Sequence, residues 1–188
     1  MIFDSLYMAK RLHISWRADI IADAIRRAVA PRAVFDIGCA TGDIALGLLR
    51  RGTHTFGVDN SLAAGQLLPD AWFVECDLAA PLAEQWITRS GEWIVPKAEL
   101  VVLLEVLPIL DLVDRPRVLA NAIACSRKWL LVNRLYDEEE QGLRENGWEP
   151  AADATQTMRD SLEPWHTKQA VKALYRTGTF WRRSGCAA

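Results

Sequence analysis

The chain has 188 residues, 51% of them apolar and 24% charged, and a net charge of −2. That length suits one domain with a real core, the composition excludes a disordered or fibrous chain, and the near-neutral charge excludes a general electrostatic pull toward nucleic acid. No stretch approaches the ~18 apolar residues of a membrane span. The N-terminal MIFDSLYMAKRLHIS is interrupted by Asp4, Lys10 and Arg11, unlike a signal peptide, and Cys39, Cys76, Cys125 and Cys186 lack the spacing of a zinc site or a disulfide framework. A reduced, cytoplasmic protein with no metal and no membrane contact is expected.

Ser15 is expected to cap a first helix in which Trp16, Ile20, Ile21, Ala24, Ile25 and Ala28 share one face, with Pro31 stopping it. Strand-like segments follow at 33–37, 53–58, 71–75, 99–104 and 128–133, with helical segments between them. This alternation predicts an α/β fold with a parallel sheet covered on both faces. Asp114 is placed to cap a helix with Pro116 in its first turn and Val118, Leu119, Ala122 and Ile123 as its buried stripe. Thr167 is placed to cap another, with the stripe Ala170, Val171, Leu174 and Tyr175 and with Gly178 at its end. The remaining TFWRRSGCAA leaves room for one more strand, and residues 135–163 read as a long, partly helical loop.

That loop holds nine acids against two arginines, whereas residues 164–188 hold five basic residues and no acid. Two readings stand: solvated segments that partly neutralise each other, or a basic tail that touches a phosphate-bearing acceptor.

The segment DIGCATGD, residues 36–43, joins a strand to a helix and contains Gly38, Ala40 and Gly42 in a G-x-A-x-G pattern. Small residues let a backbone approach a ligand closely, although a tight turn uses glycine for structural reasons too. The loop is one residue shorter than the G-x-G-x-x-G of dinucleotide binders. Asp59 ends the second strand in FGVDNS, 21 residues past Gly38, where an acid can accept bonds from ribose hydroxyls. An aspartate that merely caps a turn is the alternative at each such position.

With Asp36 in front, the loop resembles the first motif, D/E-x-G-x-G-x-G, of the class I S-adenosylmethionine-dependent methyltransferases, with Ala40 in place of the middle glycine. The resemblance spans residues 16–134 and implies a Rossmann-like three-layer sandwich that uses S-adenosylmethionine and releases S-adenosylhomocysteine. It implies that Asp59 binds the ribose and that Asp77, in FVECDL, accepts a bond from the adenine amine. Asp36, Gly38, Cys39, Ala40, Gly42, Asn60, Leu78 and Glu105 complete the candidate cofactor-binding set. Glu105, at the end of the fourth strand in AELVVLLEVLPIL, is the candidate catalytic or acceptor-orienting residue, with a solvent-facing loop acid as the alternative. The Asp-Pro-Pro-Tyr and Pro-Cys motifs of the family's DNA-modifying members are absent.

A single domain over 1–188 is therefore expected. Residues 16–134 form its cofactor-binding core, and residues 1–15 and 135–188 supply acceptor-site and sheet-completing extras. Tyr7, His13, Trp16, Tyr136, Trp148, Trp165 and His166 are candidates to wall an acceptor pocket. Trp72 and Trp129, in strands, are expected in the core. Relatives finish the sheet with two antiparallel strands, and room for only one here leaves an incomplete edge or a partner chain, hence a homo-oligomer, as an expectation. A small-molecule acceptor is favoured, since the acidic segment would repel a phosphate backbone. The alternatives are an RNA or protein acceptor and a binding protein without transferase activity.

Overall fold

The structure, a computed structural model, describes residues 16–61 and 63–186. In chain order the elements are α1 (Arg17–Val29), β1 (Ala33–Ile37), α2 (Asp43–Leu49), β2 (His54–Asp59), β3 (Phe73–Glu75), β4 (Trp86–Ile87), β5 (Trp93–Ile94) and β6 (Ala98–Leu103). Then come α3 (Asp114–Cys125), β7 (Ser126–Asn133), α4 (Asp137–Glu145), β8 (Trp148–Pro150), α5 (Ala152–Leu162), α6 (Gln169–Thr177) and β9 (Gly178–Arg183).

Seven strands form one sheet in the order β3-β2-β1-β6-β7-β9-β8. The first five are parallel, and β9 runs antiparallel to both of its neighbours. The central strands read as continuous apolar runs because both faces are covered. On one face α1, α2, α5 and α6 pack Ile21, Ile25, Leu48, Met158 and Leu174 against Val34, Leu100, Val102, Leu131 and Phe180. On the other, α3 and α4 pack Val118, Leu119, Ala122 and Leu143 against Phe35, Val101, Leu103, Leu130 and Trp181.

Several expectations are corrected. The acidic 135–163 segment is not a loop: it forms α4, β8 and α5, with its acids on the first turn of α4 and on exposed faces. Two strands, not one, follow residue 134, so no gap at the sheet edge calls for a partner chain. The edge strand β8 has three residues and ends in Pro150, which cannot donate to a further strand. Among the described residues no α-helix links β2 to β3 or β3 to β6. The second link is instead the β4–β5 hairpin, which buries Trp86 against Phe35 and turns Ile87 and Trp93 outward.

The helix caps also differ. Asp111, not Asp114, caps α3, accepting the N–H groups of Val113 and Asp114 at 2.9 and 2.8 Å. α6 starts after Lys168 without a side-chain cap, so Thr167 has no such role. Ser15 lies outside the described residues. Trp72 sits in a single helical turn with its ring tilted against Phe56, not in a strand, while Trp129 is buried as expected. No helix of the described residues is long and apolar enough to cross a membrane.

Candidate functional site

From β1 the chain continues outward to β2 and β3 on one side of the sheet, and β6 and β7 lie on the other. The crevice between β1 and β6 is therefore the switch point where open α/β sheets bind ligands at their strand ends. Residues 36–43 occupy it. The Gly38 and Cys39 N–H groups donate to the Val58 carbonyl at 2.7 and 3.3 Å, which turns the loop over the end of β2.

Gly38, Ala40 and Gly42 all have left-handed backbones, with φ of 69°, 50° and 80°. At Gly38 the glycine is required twice over, because a Cβ there would overlap Val106 Cγ2. Ala40 tolerates the same region at a cost of roughly 1 kcal/mol, held by its N–H bond to Asp59 Oδ2 at 3.0 Å.

Asp59 is buried at the end of β2. Its second oxygen accepts the Ser61 N–H at 2.9 Å. Burial raises its carboxyl above the ordinary 3.8, and the N–H groups of Ser61, Ala40 and Asn60 pull it back down. Three backbone N–H groups thus occupy part of a carboxylate's roughly four acceptor positions, which leaves capacity for a further donor. Asp77 is exposed beyond β3, where its Oδ1 accepts the Ala79 N–H at 2.9 Å. Asn121 of α3 fixes that turn, its amide donating to the carbonyls of Leu78 and Ala80, both at 2.8 Å.

Glu105 follows β6 with a left-handed backbone, φ 61°. Its N–H donates to Asn133 Oδ1 at 2.9 Å, the Asn133 amide donates back to Glu105 Oε1, and Arg134 Nε lies 3.4 Å from the same oxygen. Asn133 is fully buried at the end of β7, so a reciprocal amide clamp sets the place of the Glu105 carboxylate.

Two clefts meet here. The larger has a cavity volume of about 150 Å³ and includes Gly38, Ala40, Asp59, Asn60, Asp77, Leu78 and Glu105 in its lining. The smaller runs under α1 and α6 and is lined by Arg17, Asp36, Cys39, Asp43, Asn133 and Leu174, among others. Gly38, Leu104 and Glu105 border both. Of the candidate cofactor-binding residues, Gly42 alone lines neither. It forms the turn into α2, where a Cβ would come within 2.6 Å of Leu68 Cγ. Arg17 and Asp43 form a buried ion pair at 3.2 Å in the smaller cleft. The Cys39 thiol is held well above its ordinary value by burial and by the carboxylates of Asp36, Asp59 and Asp43, which disfavours its thiolate.

The expected acceptor walls fare less well. Trp148 is buried in the core and cannot face an acceptor. Tyr136 is exposed beside the guanidinium of Arg115, Trp165 packs against Trp16, and His166 packs against Tyr175; none of these lines either cleft. Tyr7 and His13 lie outside the described residues. Sequence reasoning missed Arg17, Asn121 and Asn133, none of which stands in a motif, as well as the apolar wall of Val106, Ile109, Leu110 and Val118. The run VLPIL after the fourth strand was the available signal for that wall.

No protein-family model and no curated protein sequence matches the chain. Solved structures do. The magnesium protoporphyrin IX methyltransferase of Synechocystis PCC 6803, solved with bound SAM, is similar at 15% identity over 95% of this chain and 84% of that one, with a TM-score of 0.59. A TehB-like SAM-dependent methyltransferase from Corynebacterium glutamicum ATCC 13032 is similar at 23% identity over 78% of this chain and 84% of that one, with a TM-score of 0.56. The [4+2]-cyclase SpnF is similar at 12% identity over 88% of this chain and 81% of that one, with a TM-score of 0.53. At such identities the likeness is one of fold.

Proposed function

We propose that this chain, which has the class I S-adenosylmethionine-dependent methyltransferase fold, binds S-adenosylmethionine in the larger cleft and methylates a small molecule. The observation that carries this reading is the convergence of Gly38, Asp59, Asp77 and Glu105 on one cleft at the switch point of the sheet.

The residues fit such a ligand. Gly38 offers a backbone that no Cβ screens, and Asp59 has acceptor capacity for ribose hydroxyls in a loop braced by Ala40. Leu78, Ile109, Leu110 and Val118 supply an apolar slot for a base, with Asp77 at its edge for the exocyclic amine. Asp36 and the smaller cleft take the methionine end and the acceptor.

When bound, S-adenosylmethionine supplies an already electrophilic methyl group. The chain therefore has to align an acceptor and exclude water, and alignment alone is worth on the order of 7 kcal/mol. Glu105 borders both clefts, so it orients the acceptor and takes a proton where the acceptor carries one that must leave.

Nothing among the described residues forms a separate acceptor domain, and the acids on α4 disfavour a phosphate backbone, which supports a small acceptor. A second reading, ligand binding without methyl transfer, is favoured by the cyclase that shares this fold.

Calorimetric titration with S-adenosylmethionine, S-adenosylhomocysteine and NAD tests the cofactor. Micromolar binding of the two sulfur ligands is expected. Binding of NAD alone, or of none of the three, overturns the reading. A screen of small acceptors, following S-adenosylhomocysteine release, then separates transfer from binding alone.

A further inference from the structure

Arg115, in the first turn of α3, is a buried guanidinium outside both clefts, with 4% of its side chain exposed. Its fork grips Glu139, Nε to Oε1 at 2.5 Å and Nη2 to Oε2 at 2.7 Å. Nη2 also donates to the Arg134 carbonyl at 2.7 Å, and the guanidinium lies over the Tyr136 ring at 3.9 Å. Glu139 Oε2 in turn accepts the Tyr136 N–H at 2.8 Å. One side chain thus ties down Glu139 in the first turn of α4 and Arg134 and Tyr136 of the turn that follows β7.

That turn is where the reacting end of the cleft is set. Arg134 has a left-handed backbone, φ 58°, immediately after Asn133, and Glu105, which both residues hold, has φ 61°. Two neighbouring non-glycine residues in this region persist only when their surroundings fix them. The Arg134 carbonyl is turned toward Arg115 in that conformation, and among the described residues no other side chain binds it. A buried ion pair is by itself weak evidence of stabilisation, since a well-packed apolar pair often does as well. A fork that also bonds a strained carbonyl does something an apolar pair could not.

We propose that Arg115 is a positioning residue: by fixing residues 134–139 it holds Asn133 and Arg134 where they set the Glu105 carboxylate at the junction of the two clefts. This rests on the reading of Glu105 as the acceptor-side residue.

The test is amide hydrogen exchange and nitrogen-15 spectroscopy on the full chain, comparing wild type with Arg115→Met and with the milder Glu139→Gln. The Glu105 N–H, which donates to Asn133, is expected to exchange at least tenfold faster in Arg115→Met, and the Asn133 side-chain amide signals are expected to shift. The Gly38 and Ala40 N–H groups, and S-adenosylhomocysteine affinity, are expected to stay within about threefold of wild type. If Arg115→Met does not fold, Glu139→Gln must show the same site-selective change at Glu105. A Glu105 N–H that is unchanged, or that loosens only in step with Gly38 and Ala40, overturns the proposal by reducing Arg115 to a general structural role. Failure of the wild type to bind S-adenosylhomocysteine strikes the functional reading and leaves the exchange result intact.

Discussion

Gly38→Ala is the sharpest perturbation of the site because its cost divides into two parts that can be measured separately. A side chain at φ 69° carries roughly 1–2 kcal/mol of backbone strain. The new methyl also overlaps Val106 Cγ2, and forcing a packed side chain aside costs about 1–3 kcal/mol more. The sum, about 2–5 kcal/mol, is a large share of the stability of a domain this size. Val106 supplies all three of the nearest atoms, and the other two, Cβ and Cγ1, stand at 3.4 Å. Truncating Val106 to alanine therefore removes the overlap and leaves the strain. Urea unfolding of wild type, Gly38→Ala, Val106→Ala and the double variant forms a double-mutant cycle, with an expected coupling of about 1–3 kcal/mol in the direction of rescue. Additive costs, or a Gly38→Ala protein as stable as wild type, would refute the account of why this position is glycine.

Asp59→Ala is expected to weaken S-adenosylhomocysteine binding by about 1–3 kcal/mol in calorimetry, and unchanged affinity in a folded variant removes Asp59 from the ribose contact. Because burial raises the Asp59 carboxyl above 3.8, affinity falls as pH drops through that raised value, earlier than an ordinary aspartate would dictate, and Asp59→Asn flattens this dependence. Stability has the opposite sign. The folded chain holds this proton more tightly than the unfolded chain does, so the cost of the buried charge is present above the folded value and is relieved as pH falls toward 3.8. Glu105→Gln is expected to leave S-adenosylhomocysteine affinity within about threefold while slowing transfer to any acceptor found by screening; equal loss of both makes Glu105 structural. Arg17→Met strands the Asp43 carboxylate, 2% exposed, and is expected to cost about 3–5 kcal/mol in urea unfolding. Restoring neutrality with Asp43→Asn should recover at least half of that loss, and an Arg17→Met cost below about 1 kcal/mol contradicts the buried pair.

The central strands β1, β6 and β7 were legible because each holds an apolar run, a pattern that burial on two faces imposes locally. β1 lies at 33–37 as read, and β2 and β6 are displaced by one residue. The acids of the cleft were legible because strand ends deliver them at fixed places in the sequence. β8 was not: three residues ending in Pro150 carry no alternation, and the strand exists only because distant β9 pairs with it. The hairpin was missed for the same reason, as its two-residue strands hold through the Trp86–Ile94 and Ile87–Trp93 pairs. Asn133 and Arg115 act through partners 28 and 24 residues away, a relation no local spacing records.

The position of β9 between β7 and β8 has a consequence for how the chain is made. The strand that fills this gap follows both of its neighbours in sequence, so β7 keeps an open edge, and β8 has no neighbour, until residues 178–183 have left the ribosome. The nascent chain can assemble the half that carries the glycine loop early, yet it must carry β7, with Trp129 and Leu131, paired on one edge only until β9 emerges. A stop codon before residue 178 would remove more than a terminal strand: it would split the sheet and expose an edge suited to pairing with another copy. Pulse proteolysis of ribosome-bound chains would show this as protection of β7 that arrives only with β9, and protection before β9 emerges would contradict it.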